Sequence, residues 1–190
     1  MTRDEILNAA AVIFREKGYH AASMQDIAEA VELKKGSLYH HVSSKQNILL
    51  ALLDQALELL TEELEMVTRQ DLPAAEKIRL AMRRYLKILT DNLALSSVLL
   101  LEHRSLDPEN HSAHIPRRDR FEDLWQTMIT EAMETGVIPS SNPDLTVKAV
   151  LGTLNWTITW YREDGRLDAH EIADGFADLF LTDQKTGEVN

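Results

Sequence analysis

Residues 23–45 read SMQDIAEAVELKKGSLYHHVSSK, and this stretch decides the fold because it fits two short helices and a tight connection into the span of one ordinary helix. Met24, Ile27, Ala28 and Val31 recur at helical spacing and form one apolar stripe, while Ser23 and Asp26 have the spacing of a capping box. After Glu32 and Leu33, the segment 34–41 offers Leu38 as its one evident buried residue. Lys34, Lys35, Ser37, Tyr39 and His40 are then left pointing outward, a set able to bond phosphates and base edges. A helix-turn-helix is the reading these features support.

The run Ile27-Ala28, then residues 33–42 (LKKGSLYHHV), then Ser44-Lys45, resembles the DNA-binding region of TetR-type transcriptional repressors over about the first fifty residues. The resemblance implies that the second helix of the motif is the recognition helix. It assigns phosphate contacts to Tyr39, His40 and Lys45, and approach to bases to Gln25, Lys35, Gly36 and Ser37, with Lys34 opening the segment. Two residues depart from the family pattern. Glu32 stands where the turn usually has glycine, and Lys34 where a Ser or Thr usually caps the recognition helix, so a strained turn and a cap weaker by about 1 kcal/mol are expected.

Outward from this motif, the expected fold is all-α. An N-terminal helix-turn-helix domain spans 1–47, an effector-binding and dimerisation domain 48–182, and a polar tail 183–190. Residues 3–17 form a helix with Ile6, Ala10, Ile13 and Phe14 on one face, stopped by Gly18. A long helix begins at Ser43 or Ser44, with Ser43 and Gln46 as capping box and an apolar face from Ile48 to Val67, and over its whole length spans about 35 Å at 1.5 Å per residue. Pro73 opens the next helix, which ends near Asp91, and 93–101 make a short buried one. Residues 105–116, with Asp107-Pro108, Asn110 and Pro116, read as a loop. Helices over 117–134, from Asn142 to about Tyr161, and after the Asp168/Glu171 box complete the chain.

Composition narrows the functional classes. With 44% hydrophobic residues in 190, the chain can bury a substantial core, and with no cysteine it has neither disulfides nor thiolate metal sites, which suits the cytoplasm. The N-terminus lacks the basic start of a signal peptide, and no apolar run reaches the roughly 20 residues that span a bilayer. The net charge of −11 falls entirely after residue 47, because 1–47 carry six bases and six acids. An acidic body opposes non-specific adhesion to nucleic acid, so a local surface and a sequence-specific duplex partner are expected.

The segment 152–156 (GTLNW), followed by Trp160-Tyr161 and the Gly165 turn, resembles the C-terminal part of TetR-type regulators that respond to acyl-CoA thioesters. What that implies is an apolar slot lined by Leu86, Leu89, Leu99, Phe121, Trp125, Met128 and Trp156. Asn155 and His103 would add polar contacts, and Arg104, Arg120 and Arg162, with Arg117, Arg118 and Arg166, would meet phosphates. A mid-helix glycine is tolerated best where a backbone or ligand comes close, which draws Gly152 into this reading. The family pairs the last two long helices of each subunit into a four-helix interface, so a homodimer is expected, with recognition helices about 34 to 36 Å apart on a two-fold operator.

The mechanism so implied is release from DNA when an effector binds among the helices after Leu72 and shifts the helix that starts at Ser44. No cofactor is expected. Three other readings compete with this one. A helical DNA-binding regulator without an effector would have a fully packed second domain. A helical enzyme could use His103 with Glu102, but no nucleophile motif or phosphate loop accompanies them. His111 and His114, with Asp107 or Glu102 nearby, have the spacing of a metal pair but lie in the expected loop, and no metal is assigned.

Overall fold

The computed structural model describes residues 2–182, and the polar tail 183–190 lies outside them. Among the described residues, nine α-helices and two short 3-10 turns make up the regular elements, with no strand. Packing groups them into two compact units, one of residues 2–58 and 92–118, the other of 59–91 and 119–182. Residues 92–118 group with the N-terminal helices, because residues 93–102 pack on residues 3–17.

In the first unit, α1 (Arg3–Lys17) opens on a Thr2/Glu5 capping box and buries Ile6, Ala10, Ile13 and Phe14. Gly18 ends it at φ 79°, a conformation that disfavours any side chain. Helix α2 (Met24–Ala30) starts at Ser23, whose hydroxyl accepts from Asp26 N while the Asp26 carboxylate accepts from Ser23 N. Then comes α3 (Lys35–Leu38), whose cap residue Lys34 makes no side-chain cap bond. The intervening Glu32 sits at φ 53°, the only non-glycine residue with positive φ among those described. That left-handed conformation costs about 1–2 kcal/mol for a residue with a Cβ, against about 0.4–1 for the extra chain entropy of glycine. Glu32→Gly is expected to raise unfolding free energy by up to about 1 kcal/mol, measured by urea denaturation.

Helix α4 (Lys45–Thr68) is capped by Ser44, whose hydroxyl accepts from Asn47 N, and not by Ser43 and Gln46. The Gln46 side chain instead bonds the backbone of Ser105 and Asp107. Helix α6 (Leu93–Glu102) is followed by a 3-10 turn (His103–Ser105) and then by α7 (Pro108–Glu134). The expected loop at 105–116 is thus corrected to helix. Asp107 accepts from Asn110 N at 2.9 Å and Pro108 takes the first helical position, a start signal that the nearby Pro116 obscures. Pro116 lies inside the helix, where it removes one backbone donor. His114, just before it, is buried against Asp54.

In the second unit, α5 (Ala74–Asp91) buries Ile78, Met82, Tyr85, Leu86 and Leu89 and packs chiefly on α9 (Ala169–Phe180). Helix α8 (Pro143–Trp156) is capped by Asn142, which accepts from Leu145 N, and runs into a 3-10 turn (Thr157–Thr159). Arg83 fixes the α5–α9 contact by donating to both Asp174 oxygens at 2.6 and 2.7 Å, with Arg79 beside them. The Arg83 guanidinium holds the Asp174 carboxyl below its ordinary range. A carboxyl lowered in the folded state contributes stability in full above about pH 4, and loses it as the pH falls through the lowered value. The stability gap between the parent and Asp174→Asn is therefore expected to be widest near neutral pH and to close in acid, as read by urea unfolding at several pH values.

Candidate nucleic-acid interface

The DNA-reading surface rests on Ile27, Ala28, Leu38 and Val42, all buried, which fix α2 and α3 against each other and leave one polar face outward. On that face Lys34, Lys35, Gly36, Tyr39 and His40 are exposed and Ser37 is half-buried. Gly36 has nothing within 4 Å of where a Cβ would stand, so its face is open to a close approach. Gln25, also exposed, donates to Glu29 at 2.8 Å. Lys17 pairs with Asp26 at 2.6 Å, which together with the Ser23 bonds keeps the Asp26 carboxyl far below its ordinary range.

Lys45 does something the resemblance did not imply. Its ammonium donates to the carbonyls of Tyr19 at 2.8 Å and Ala22 at 2.7 Å and lies 4.4 Å over the Tyr19 ring. It thereby clamps the connection that delivers α2. From the other side, Tyr19 N donates to Glu102 Oε1 at 3.0 Å, and Ser105 Oγ donates to Glu102 Oε2 at 3.1 Å. Gln46 donates to the Ser105 carbonyl at 2.8 Å and accepts from Asp107 N at 3.1 Å. Asp54 on α4 meets His114 Nδ1 at 2.9 Å and Arg117 Nε at 3.5 Å on α7. The corner between α6 and α7 is thus bonded both to the start of α4 and to the connection before α2. Glu102 is consumed by this bracing and is not arranged with His103 as an acid–base pair, and burial beside Arg104 holds His103 below its ordinary pKa. With His114 turned to Asp54, no three metal-ligating side chains converge among the described residues.

The residues assigned to an effector divide between the units. Leu99, His103 and Arg104 belong to the first. In the second, Leu86, Leu89, Phe121, Trp125 and Met128 are buried together around Tyr85, which stacks on Phe121 at 5.9 Å and meets Trp125 edge-on at 6.0 Å. The Tyr85 hydroxyl donates to Asn155 Oδ1 at 2.6 Å. Arg120 is paired with Glu65. Arg162 is exposed beside Asp164 and lines, with Trp160, Arg166 and Leu167, a surface groove of about 250 Å³. Trp156 is 67% exposed and stands apart from the buried group around Tyr85.

Family models match two stretches of the chain. Residues 6–52 match the model described as bacterial regulatory proteins, tetR family, and residues 71–183 match the tetracyclin repressor-like C-terminal domain. The chain belongs to the TetR family of bacterial regulators. Among solved structures it is 37% identical to the TetR family regulator PfmR of Thermus thermophilus, covering 92% of this chain and 95% of that one at a TM-score of 0.83. It is 29% identical to AibR, solved in complex with isovaleryl coenzyme A and operator DNA, over 94% and 97% at a TM-score of 0.86. The HTH-type transcriptional repressor KstR2 of Mycobacterium tuberculosis is 24% identical over 181 residues, 94% of this chain and 90% of the relative.

In this TetR-family chain the final long helices carry an apolar stripe that the second unit does not cover. Leu145, Ala149, Gly152 and Trp156 follow one face of α8, and Gly175 and Leu179 are exposed on α9. Gly152 has nothing within 4 Å of a Cβ position, so among the described residues none makes the close approach its sequence suggests. Sequence reasoning misses Tyr85, Tyr19, Gln46, Asp54 and the brace role of Glu102. The partners of Gln46 and Glu102 include backbone groups of distant residues, which leave no mark in a sequence. No described helix is long and apolar enough to cross a membrane.

Proposed function

We propose that this TetR-family regulator is a homodimeric repressor that leaves a two-fold operator when a small apolar or acyl-CoA-type effector binds its second unit. The observation that carries this reading is the open, basic face of α3 held on a braced frame, in a chain whose net negative charge lies outside the first 47 residues. Gln25, Lys34, Lys35, Gly36, Ser37, Tyr39 and His40 supply the DNA contacts, two copies being needed because one four-residue helix reads too few bases. The uncovered stripe on α8 and α9 is the dimer face. The AibR complex supports the effector class, since that relative binds a thioester and operator DNA on a similar chain. The effector acts by preferring the dimer whose recognition helices are spaced wrongly for DNA, and α4, with residues in both units, carries the shift. No catalytic role is assigned, and a cytoplasmic setting follows from the DNA partner.

A mobility-shift assay on DNA flanking its own gene, repeated with acyl-CoA thioesters and the matching free acids, tests this reading. A retarded band released by a thioester and not by its acid is expected. A band that no thioester releases would leave a DNA-binding protein without this effector class. Lys35→Ala is expected to lower operator affinity about tenfold while changing random-duplex binding far less, a loss of about one base contact. An equal loss on both duplexes would make Lys35 a phosphate contact only.

A further inference from the structure

Two polar groups in the second unit are sealed from water and bonded to nothing. Trp125 and Thr157 are both 0% exposed, and neither the Trp125 indole Nε1 nor the Thr157 hydroxyl has a hydrogen-bond partner among the described residues. Buried donors are nearly always paired, and one left bare costs free energy that a protein of this size does not waste without return. Trp125 touches Tyr85, and Thr157 lies in the turn that packs on α5, the helix that carries Tyr85. Trp125 on α7 meets the Tyr85 ring edge-on at 6.0 Å. Thr157 opens the 3-10 turn that packs on α5, two residues after Asn155, which accepts from the Tyr85 hydroxyl at 2.6 Å. The neighbouring positions on α5 and α7, Leu86 and Met128 among them, are buried hydrocarbon.

We infer that the effector carries an oxygen in the part that enters this core, and that Trp125 Nε1–H and Thr157 Oγ–H are the donors that receive it. The inference rests on the effector reading above and names its class more closely, as a thioester of a keto or hydroxy acyl group. A saturated hydrocarbon chain would fill the space and leave both donors bare, so it gains burial but no bond. A carbonyl or hydroxyl oxygen accepts from donors of this kind, which a hydrocarbon cannot do. The phosphates of such a ligand need exposed cations and water, so the acyl portion is what enters a site of this polarity. Because neither donor touches open space, the ligand must part α5 from the turn after α8 to reach them. Occupancy and a shift of helices are then one event, which gives the ligand its differential affinity between conformations.

The test compares octanoyl-CoA with its β-keto and ω-hydroxy counterparts by calorimetric titration of the full chain, together with Thr157→Val and Trp125→Phe. At least one oxygenated thioester is expected to bind roughly tenfold more tightly than octanoyl-CoA, the equivalent of one well-made bond. Thr157→Val should erase that preference and leave octanoyl-CoA affinity within about twofold, and Trp125→Phe, which also alters the apolar lining, should lower affinity for the oxygenated thioester more than for octanoyl-CoA. Thr157→Val, which removes a bare hydroxyl at nearly constant shape, should also raise the melting temperature of the free protein. A lower melting temperature would show that the hydroxyl has a partner and would overturn the inference without any ligand. Octanoyl-CoA binding as tightly as both oxygenated thioesters would overturn it while leaving the effector reading intact. Binding of none of the three would bring down both. Where Trp125→Phe fails to fold, Thr157→Val carries the comparison alone.

Discussion

Leu38→Ala is expected to lower the unfolding free energy by about 2–5 kcal/mol, the range for truncating a fully buried leucine, and to abolish operator retention. Helix α3 has four residues, its only buried side chain is Leu38, and its cap residue Lys34 forms no cap bond. A helix of one turn has no stability of its own, so its position comes from packing. The leucine is therefore the peg that holds Lys35, Gly36 and Ser37 in register with a groove. Urea unfolding and a mobility shift on the same preparation check both parts. A loss below about 1 kcal/mol would mean that the neighbouring turns hold α3 without it.

Lys45→Ala separates two roles that the family resemblance and the geometry assign differently. If Lys45 bonds a phosphate, its removal should flatten the dependence of log affinity on log salt by about 0.9. The structure instead spends its ammonium on the carbonyls of Tyr19 and Ala22. Removing it leaves those acceptors bare at a cost of about 1–3 kcal/mol, and loosens the connection through which α2 is delivered. The expected result is a less stable protein, operator affinity reduced by at least about tenfold, and an unchanged salt slope. A flattened slope with stability intact would return Lys45 to the phosphate backbone.

The clamp also shows where reading from residues alone stops. Capping pairs such as Ser23 with Asp26 and Asp168 with Glu171 are local, and they place helix starts that the structure keeps. Glu32 is legible through the resemblance, since the family usually has glycine at that position of the turn, and it takes the left-handed conformation at φ 53°. Lys45, Glu102 and Gln46 escape because their partners include backbone groups distant in the chain, brought within reach only by the packed fold. The packing of α6 on α1 also groups residues 92–118 with the first unit. Pro116 misleads differently. Read at face value as a helix breaker, it hides the helix start that Asp107 and Pro108, just upstream, spell out. Of the candidate effector residues, the buried group around Tyr85 is legible as apolar periodicity, whereas Trp156 cannot be told from it by spacing.

The three tryptophans stand in three different surroundings, Trp125 sealed, Trp160 45% exposed and Trp156 67% exposed on the uncovered stripe. This makes the molecule its own optical gauge. Iodide quenches the emission of an indole it can touch and ignores one it cannot, so shielding of Trp156 on concentration counts subunits coming together, and a change in the blue-shifted emission of Trp125 marks a guest in the core. One unlabelled sample can in this way report assembly and occupancy on separate channels.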